Sequence, residues 1–150
     1  MIMQILKTRD VKTPSRANVG DAGIDFFIPN DFVEKTVLPG ESLLVPSGIV
    51  AAVPSGYMLT AFNKSGMSLK KNMIIGACVI DHSYTGEIHI HLFNVGTTPQ
   101  VFKPGDKVSQ FILVPVLEDG ITEVGSREEL FSGKATTRGD GAFGSTDRRA

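Results

Sequence analysis

The chain has 150 residues, 41% of them hydrophobic and 21% charged, with a formal net charge of -1. That is enough for one domain with its own core, and the composition excludes a disordered polyelectrolyte. The near-zero charge leaves no footprint for nucleic acid or a membrane surface, so any polyanion must meet a local site.

The opening run from Met1 to Leu6 is broken by Lys7, Arg9 and Asp10 before it reaches signal-peptide length, and no later apolar run approaches a membrane span. A cytoplasmic protein is the expectation, or one of the host cytoplasm or nucleus if the source is viral. Sixteen glycines and eight prolines punctuate short β-branched runs, the spacing of an all-β barrel or sandwich. Met3 to Leu6 reads as a first strand. After the breaks at Pro14 and Gly20, Ile24, Phe26 and Ile28 share one strand face and leave Asp25 and Phe27 on the other. Pro39-Gly40 marks a turn, Leu43 to Val53 supplies more strand, and Pro54-Ser55-Gly56-Tyr57 turns the chain again. Met58 to Phe62 leads into Asn63-Lys64-Ser65-Gly66-Met67-Ser68, read as a loop.

Gly76 to Asn94 is the stretch around which the rest is arranged. Two apolar arms flank a polar turn with a carboxylate, Asp81, and an aromatic hydroxyl, Tyr84, which predicts a hairpin with chemistry at its bend. The second arm alternates Ile88, Ile90 and Leu92 with His89, His91 and Phe93. Cys78, the only cysteine, has no internal disulfide partner and lies in the first arm as a small core residue. Val108 to Leu117 is a further strand in which Gln110 needs partners for its amide. Ser126-Arg127-Glu128-Glu129 is a capping box that predicts a turn or two of helix. From Ser132 the chain is polar and glycine-rich.

Several groups carry chemistry. Lys64-Ser65-Gly66 offers a cation, a hydroxyl and a compliant backbone, as a phosphate requires. Arg138 to Thr146 repeats that offer and adds Phe143, an aromatic suited to stacking on a flat base. Asp25 and Asp81 are carboxylates in apolar surroundings, where a charge must be paired, hydrated or used. The structural account of Asp25 is an ion pair with Lys64 or Lys107. His89 and His91 lie two apart on one strand face, but no Cys or acidic ligand completes a zinc set nearby.

In chain order these segments resemble the five motifs of the homotrimeric deoxyuridine triphosphatase (dUTP pyrophosphatase) family. The first is Ala22-Gly23-Ile24-Asp25, the second Lys64 to Met67, the third Gly76 to Glu87, the fourth Gly105 to Gln110, and the fifth Arg138 to Thr146. The resemblance implies a distorted jelly-roll-like β-barrel over residues 1–135, a homotrimer with sites at subunit interfaces, and a flexible arm over 136–150 that closes the site. It further implies that the backbone of Ala77, Cys78 and Val79 reads uracil, Tyr84 packs on the deoxyribose, and Asp81 holds the attacking water. Asp25 would bind Mg²⁺ through water. Lys64, Ser65, Gly66 and Gln110 would meet phosphates, Phe143 would cover the base, and Arg138, Gly144, Ser145 and Thr146 would hold the γ-phosphate.

The chain departs from that pattern at Lys64 and Lys107, where arginine is common, at Thr85, where arginine is frequent, and at Ala142, which interrupts paired glycines. A lysine replaces a bidentate fork by a point charge. Two other readings use the same scaffold: a dCTP deaminase, and a non-catalytic nucleotide-binding or signalling module. Tyr84 and the glycine-rich tail speak against the first, and the intact set Asp25, Ser65, Asp81, Gln110 and Arg138 against the second.

Overall fold

A computed structural model of the protein describes residues 3–136 and 139–141. Runs of β-branched and aromatic residues cut by glycine and proline favour strands over helices, and the described residues form eleven strands and two short helices. In order these are β1 (Gln4–Lys7), β2 (Ile24–Phe27), β3 (Lys35–Val37), β4 (Ser42–Pro46), β5 (Ile49–Ala52), β6 (Tyr57–Phe62), α1 (Ser65–Lys71), β7 (Met73–Ile75), β8 (Val79–Ile80), β9 (His89–Asn94), β10 (Gln100–Phe102), β11 (Lys107–Pro115) and α2 (Arg127–Phe131). The chain divides into two compact units, Met1–Leu117 and Glu118–Ala150.

In the first unit β1 pairs with β5 and β3 with β10, while two larger sheets run β2-β11-β6-β8 and β4-β9-β7. Every pairing is antiparallel. Joining strands distant in sequence, instead of successive hairpins, is how a jelly-roll-like fold wraps one core. The protein is all-β of that kind. Phe26, Phe102 and Phe111 are fully buried at its centre with Leu59, Ile90 and Leu92, and the rings of Phe26 and Phe111 meet at 4.2 Å between centroids. Burying each such side chain stabilises by about 1.5–3 kcal/mol.

Alternation along β9 is as its sequence dictates: Ile88, Ile90 and Leu92 are buried while His89 and Phe93 are exposed. The expected hairpin is different. β9 pairs on one edge with β4 and on the other with β7, Ile74 facing Phe93 and Ile75 facing Leu92. With both edges filled, the Ala77 to Ile80 arm cannot join β9. It crosses instead to β6, where Leu59 faces Ile80 and Thr60 faces Val79. The departure point is Gly76, whose N–H still donates to the His91 carbonyl at 2.8 Å. A Cβ there would run into the rings of His91 and Phe93, so glycine lets the strand pass close before it leaves.

Lys64-Ser65-Gly66 is not a loop throughout, because α1 begins at Ser65. Lys64 caps it with an extended backbone, and its carbonyl accepts from Met67 and Ser68 N–H at 2.9 Å each. Asn72 closes the helix in the left-handed conformation at φ 51°, its N–H donating to the Met67 carbonyl. Gly66 and two serines are poor helix formers, and Met67 is the helix's one buried side chain, so no apolar stripe announced it.

In the second unit α2 starts where the capping box places it. Ser126 Oγ accepts from Glu129 N–H at 3.1 Å, and Glu129 Oε2 accepts from Gly125 N–H at 3.0 Å.

Candidate active site

Asp25 sits on β2 with its side chain only 6% exposed, and each carboxylate oxygen has its own cation: Lys64 Nζ at 3.0 Å from Oδ1 and Lys107 Nζ at 2.7 Å from Oδ2. Both lysines foreseen as alternative partners are therefore used. Burial raises the carboxyl's pKa, but the hydrogen bonds and charges of Lys107 and Lys64 outweigh it and hold Asp25 below the ordinary aspartate value.

The reach of Lys107 depends on an irregularity in β11. Lys107 pairs with Phe27 and Ser109 with Phe26, so two steps on β11 match one on β2. This is a β-bulge. Lys107 and Gln110 are three residues apart and would point to opposite faces of a regular strand. The inserted residue, Val108, puts both on the face of Asp25, because Gln110 pairs with Asp25 and Lys107 with Phe27, two residues further along β2.

Gln110 finds its partner in the Asn63 carbonyl, to which Nε2 donates at 2.8 Å. Asn63 is itself fixed, its Oδ1 accepting from Ile75 N–H at 2.7 Å. On the other side Gly23 lies against the amide: a Cβ there would overlap Gln110 Oε1 and approach Cδ to 3.1 Å. Asp25, Lys64 and Gln110 line a depression of about 390 Å³ together with Gly23, Ala22 and Ile112. Asp21 also lines the depression, so the two ammonium groups around Asp25 balance the depression's two carboxylates, and they supply the cations a polyphosphate would meet there.

A second cavity, of about 190 Å³, is lined by Ala77, Cys78, Val79, Ile80, Asp81, Tyr84, Ile88 and His89. It shares no residue with the first. The Cys78 carbonyl accepts from Ala61 N–H at 2.8 Å, which fixes the strand against β6. Asp81 and Tyr84 are exposed at the turn, closed by Tyr84 N–H to the Asp81 carbonyl at 3.1 Å. The Tyr84 hydroxyl donates to the Glu87 carbonyl at 2.8 Å, so the ring is held by its far end.

The structure thus brings Ala77, Cys78, Val79, Asp81 and Tyr84 into one cavity and Asp25, Lys64 and Gln110 into another, with exposed Ser65 and Gly66 opening α1 next to Lys64. Arg138, Phe143, Gly144, Ser145 and Thr146 lie outside the described residues. Sequence reasoning offered Lys64 and Lys107 as alternatives and missed that both bind Asp25 at once, and it missed Ile80, Ile88 and His89 as cavity walls. The signal for the last two was present, since they follow the turn on the same arm, but the assumed hairpin aimed them elsewhere. His91 packs on Phe93 with centroids 4.5 Å apart.

The family model described as dUTPase matches residues 9–147. The deoxyuridine 5'-triphosphate nucleotidohydrolase of Hydrogenobaculum sp. (strain Y04AAS1) is 36% identical over 139 residues, covering 91% of each chain. That of Mycolicibacterium gilvum (strain PYR-GCK) is 38% identical over 145 residues, 94% of this chain and 91% of the relative. Among solved structures, a Staphylococcus bacteriophage 80alpha dUTPase with dUpNHpp superposes at a TM-score of 0.83 over 97% of this chain and 98% of that one, at 20% identity. A dUTPase from phage phi11 of S. aureus, described as coordinating a structural Mg(II) ion, gives 0.76 over 85% and 99%, at 21% identity.

Proposed function

The chain belongs to the dUTPase family and is a dUTP diphosphatase, and we propose that it works as a homotrimer whose sites join the nucleoside cavity of one subunit to the polyphosphate depression of another. The carrying observation is the 190 Å³ cavity in which Asp81, Tyr84 and the strand Ala77 to Val79 face the same space. Backbone N–H and C=O groups at the edge of that strand suit the hydrogen-bonding edge of uracil. The Tyr84 ring packs against the sugar and leaves no room for a 2′-hydroxyl, while the Asp81 carboxylate accepts a hydrogen bond from water.

That water attacks the α-phosphorus in line with the bond to the β-phosphate. The new P–O bond forms as the bridging P–O bond breaks, the water's proton passes to Asp81, and pyrophosphate leaves with the bond's electrons. The products are dUMP, available for thymidylate synthesis, and pyrophosphate. A positioned carboxylate contributes about 10²-fold to 10⁴-fold, and most of the remaining acceleration comes from orientation and charge neutralisation. Lys64, Ser65 and Gln110 meet the phosphate oxygens. Arg138, Gly144, Ser145 and Thr146 complete the grip on the γ-phosphate, and Phe143 covers the base.

Among the described residues no three acidic, histidine or cysteine side chains gather into a metal cage, and Asp25, the buried carboxylate of the phosphate depression, already has a cation on each oxygen. This donor set fits an ion that arrives on the polyphosphate and keeps its waters, as Mg²⁺ does. Asp25 is the residue that would hold it through water, and the ion would supply neutralisation of phosphate charge.

Incubation with Mg²⁺ and dUTP, dCTP or dTTP tests the reading. Pyrophosphate from dUTP alone is expected, and Asp81→Asn should lower turnover by about two orders of magnitude or more while keeping nucleotide binding. Ammonia from dCTP, or near-wild-type turnover by Asp81→Asn, would overturn it.

A further inference from the structure

Glu87 is the last residue of the turn that carries Asp81 and Tyr84, and both its carbonyl and its carboxylate are engaged. Its carbonyl accepts from the Tyr84 hydroxyl at 2.8 Å and meets His89 Nδ1 at 3.0 Å. Those two rings stand on the wall of the nucleoside cavity. Its carboxylate turns the other way: Oε1 accepts from Gly48 N–H at 2.7 Å and from Arg9 Nε at 2.8 Å, and Oε2 from Arg9 Nη2 at 3.4 Å. Arg9 is not among the cavity-lining residues, and its own third contact is Asp31 at 3.1 Å.

Gly48 is built for this role. It has φ +72°, and a Cβ would lie 3.0 Å from both Arg9 Cβ and Val11 Cγ1. The backbone amide can therefore approach Glu87 only as glycine. The Gly48 carbonyl accepts from Thr8 N–H at 2.8 Å, which ties the same point to the chain just after β1. A Cβ on Gly86 would also strike the Tyr84 ring, at 2.5 Å from its hydroxyl, so the turn has no slack on that side.

From this geometry we infer that Arg9 is a positioning residue for sugar recognition: by clamping Glu87 from outside the cavity it fixes the carbonyl that holds Tyr84 and His89 against the nucleoside. The inference rests on the assignment of Tyr84 to the deoxyribose. Glu87 meets its partners at both ends of a single residue, so a shift of its side chain moves its carbonyl. Arg9 engages both carboxylate oxygens, and a bidentate fork fixes orientation as a lysine cannot. These bonds and the Arg9 charge also hold the Glu87 carboxyl below the ordinary glutamate value against the raising effect of its burial.

The test compares Arg9→Ala, Arg9→Lys and Tyr84→Ala with wild type, measuring kcat/KM for dUTP and for UTP. Arg9→Ala should lower the preference for dUTP over UTP by about 3-fold to 30-fold, mostly through KM for dUTP. Arg9→Lys should recover only part of it. The chain has two tyrosines, so the NMR ring signals of Tyr84 can be followed without substrate, and Arg9→Ala should shift and broaden them. If Tyr84→Ala abolishes discrimination while Arg9→Ala leaves both the ratio and the ring signals unchanged, the clamp is refuted and the sugar assignment stands. If Tyr84→Ala leaves discrimination intact, the sugar assignment fails and takes the specificity role of Arg9 with it, whatever the ring signals report.

Discussion

Asp25 concentrates what one residue does for this protein. Its side chain is almost wholly buried, but its lysine partners are 30% and 37% exposed, so water screens part of the attraction. Its pKa lies below the unfolded value of 3.8, which means the folded state prefers the charged form. The sign follows: the stabilisation is fully present well above pH 3.8, shrinks as pH falls through that value, and is gone below the depressed folded pKa. Urea unfolding of wild type and Asp25→Asn should differ by about 1–3 kcal/mol at pH 7, with wild type more stable. That gap should narrow only as the solution is acidified toward and past the aspartate range. A gap that stays constant down to pH 3 would mean that the two ion pairs do not stabilise the fold. The sequence showed a carboxylate in an apolar strand and two candidate lysines. It did not show that both would bind, because that depends on a bulge that composition does not mark.

At the scale of elements, periodicity was legible and partnership was not. The alternation of Ile88, Ile90 and Leu92 identified a half-buried strand, but nothing in it showed that β4 and β7 would fill both its edges and send Val79–Ile80 to β6. Strand pairing is decided by which edges remain open once the core has formed. α1 was invisible for a related reason, since its buried contact is one methionine. The coupling of β2 to β11 is more exacting, because Gly23 exists as glycine where Gln110 needs space. Gly23→Ala should push the Gln110 amide away from the Asn63 carbonyl, leaving β2 and β11 paired but the polyphosphate depression misshapen. We expect a melting temperature within a few degrees of wild type, since the site is at the surface of the sheet, and a rise of about 10-fold or more in KM for dUTP. A large fall in melting temperature with unchanged KM would show that Gly23 serves the fold and not the phosphate site.

Across the whole molecule, Ala77, Cys78, Val79, Asp81 and Tyr84 fall into one cavity and Asp25, Lys64 and Gln110 into another, with no common wall. Sequence order cannot reveal that separation, because motifs that cooperate chemically need not meet within one chain. If each site takes Asp81 from one subunit and Lys64 with Ser65 from another, two inactive variants should restore each other. Asp81→Asn and the double variant Lys64→Ala/Ser65→Ala, co-expressed with different tags in equal amounts, assemble at random into mixed trimers. Each site draws its two halves from different chains, so about one site in four receives both halves intact. The co-expressed population, homotrimers included, should then reach about a quarter of wild-type activity, well above the sum of the two variants measured apart. If both halves came from the same chain, every site would carry one defect or the other, and mixing would add nothing. Recovery near one quarter would fix the proposed division of labour, with base, sugar and water held by one subunit and the polyphosphate by its neighbour.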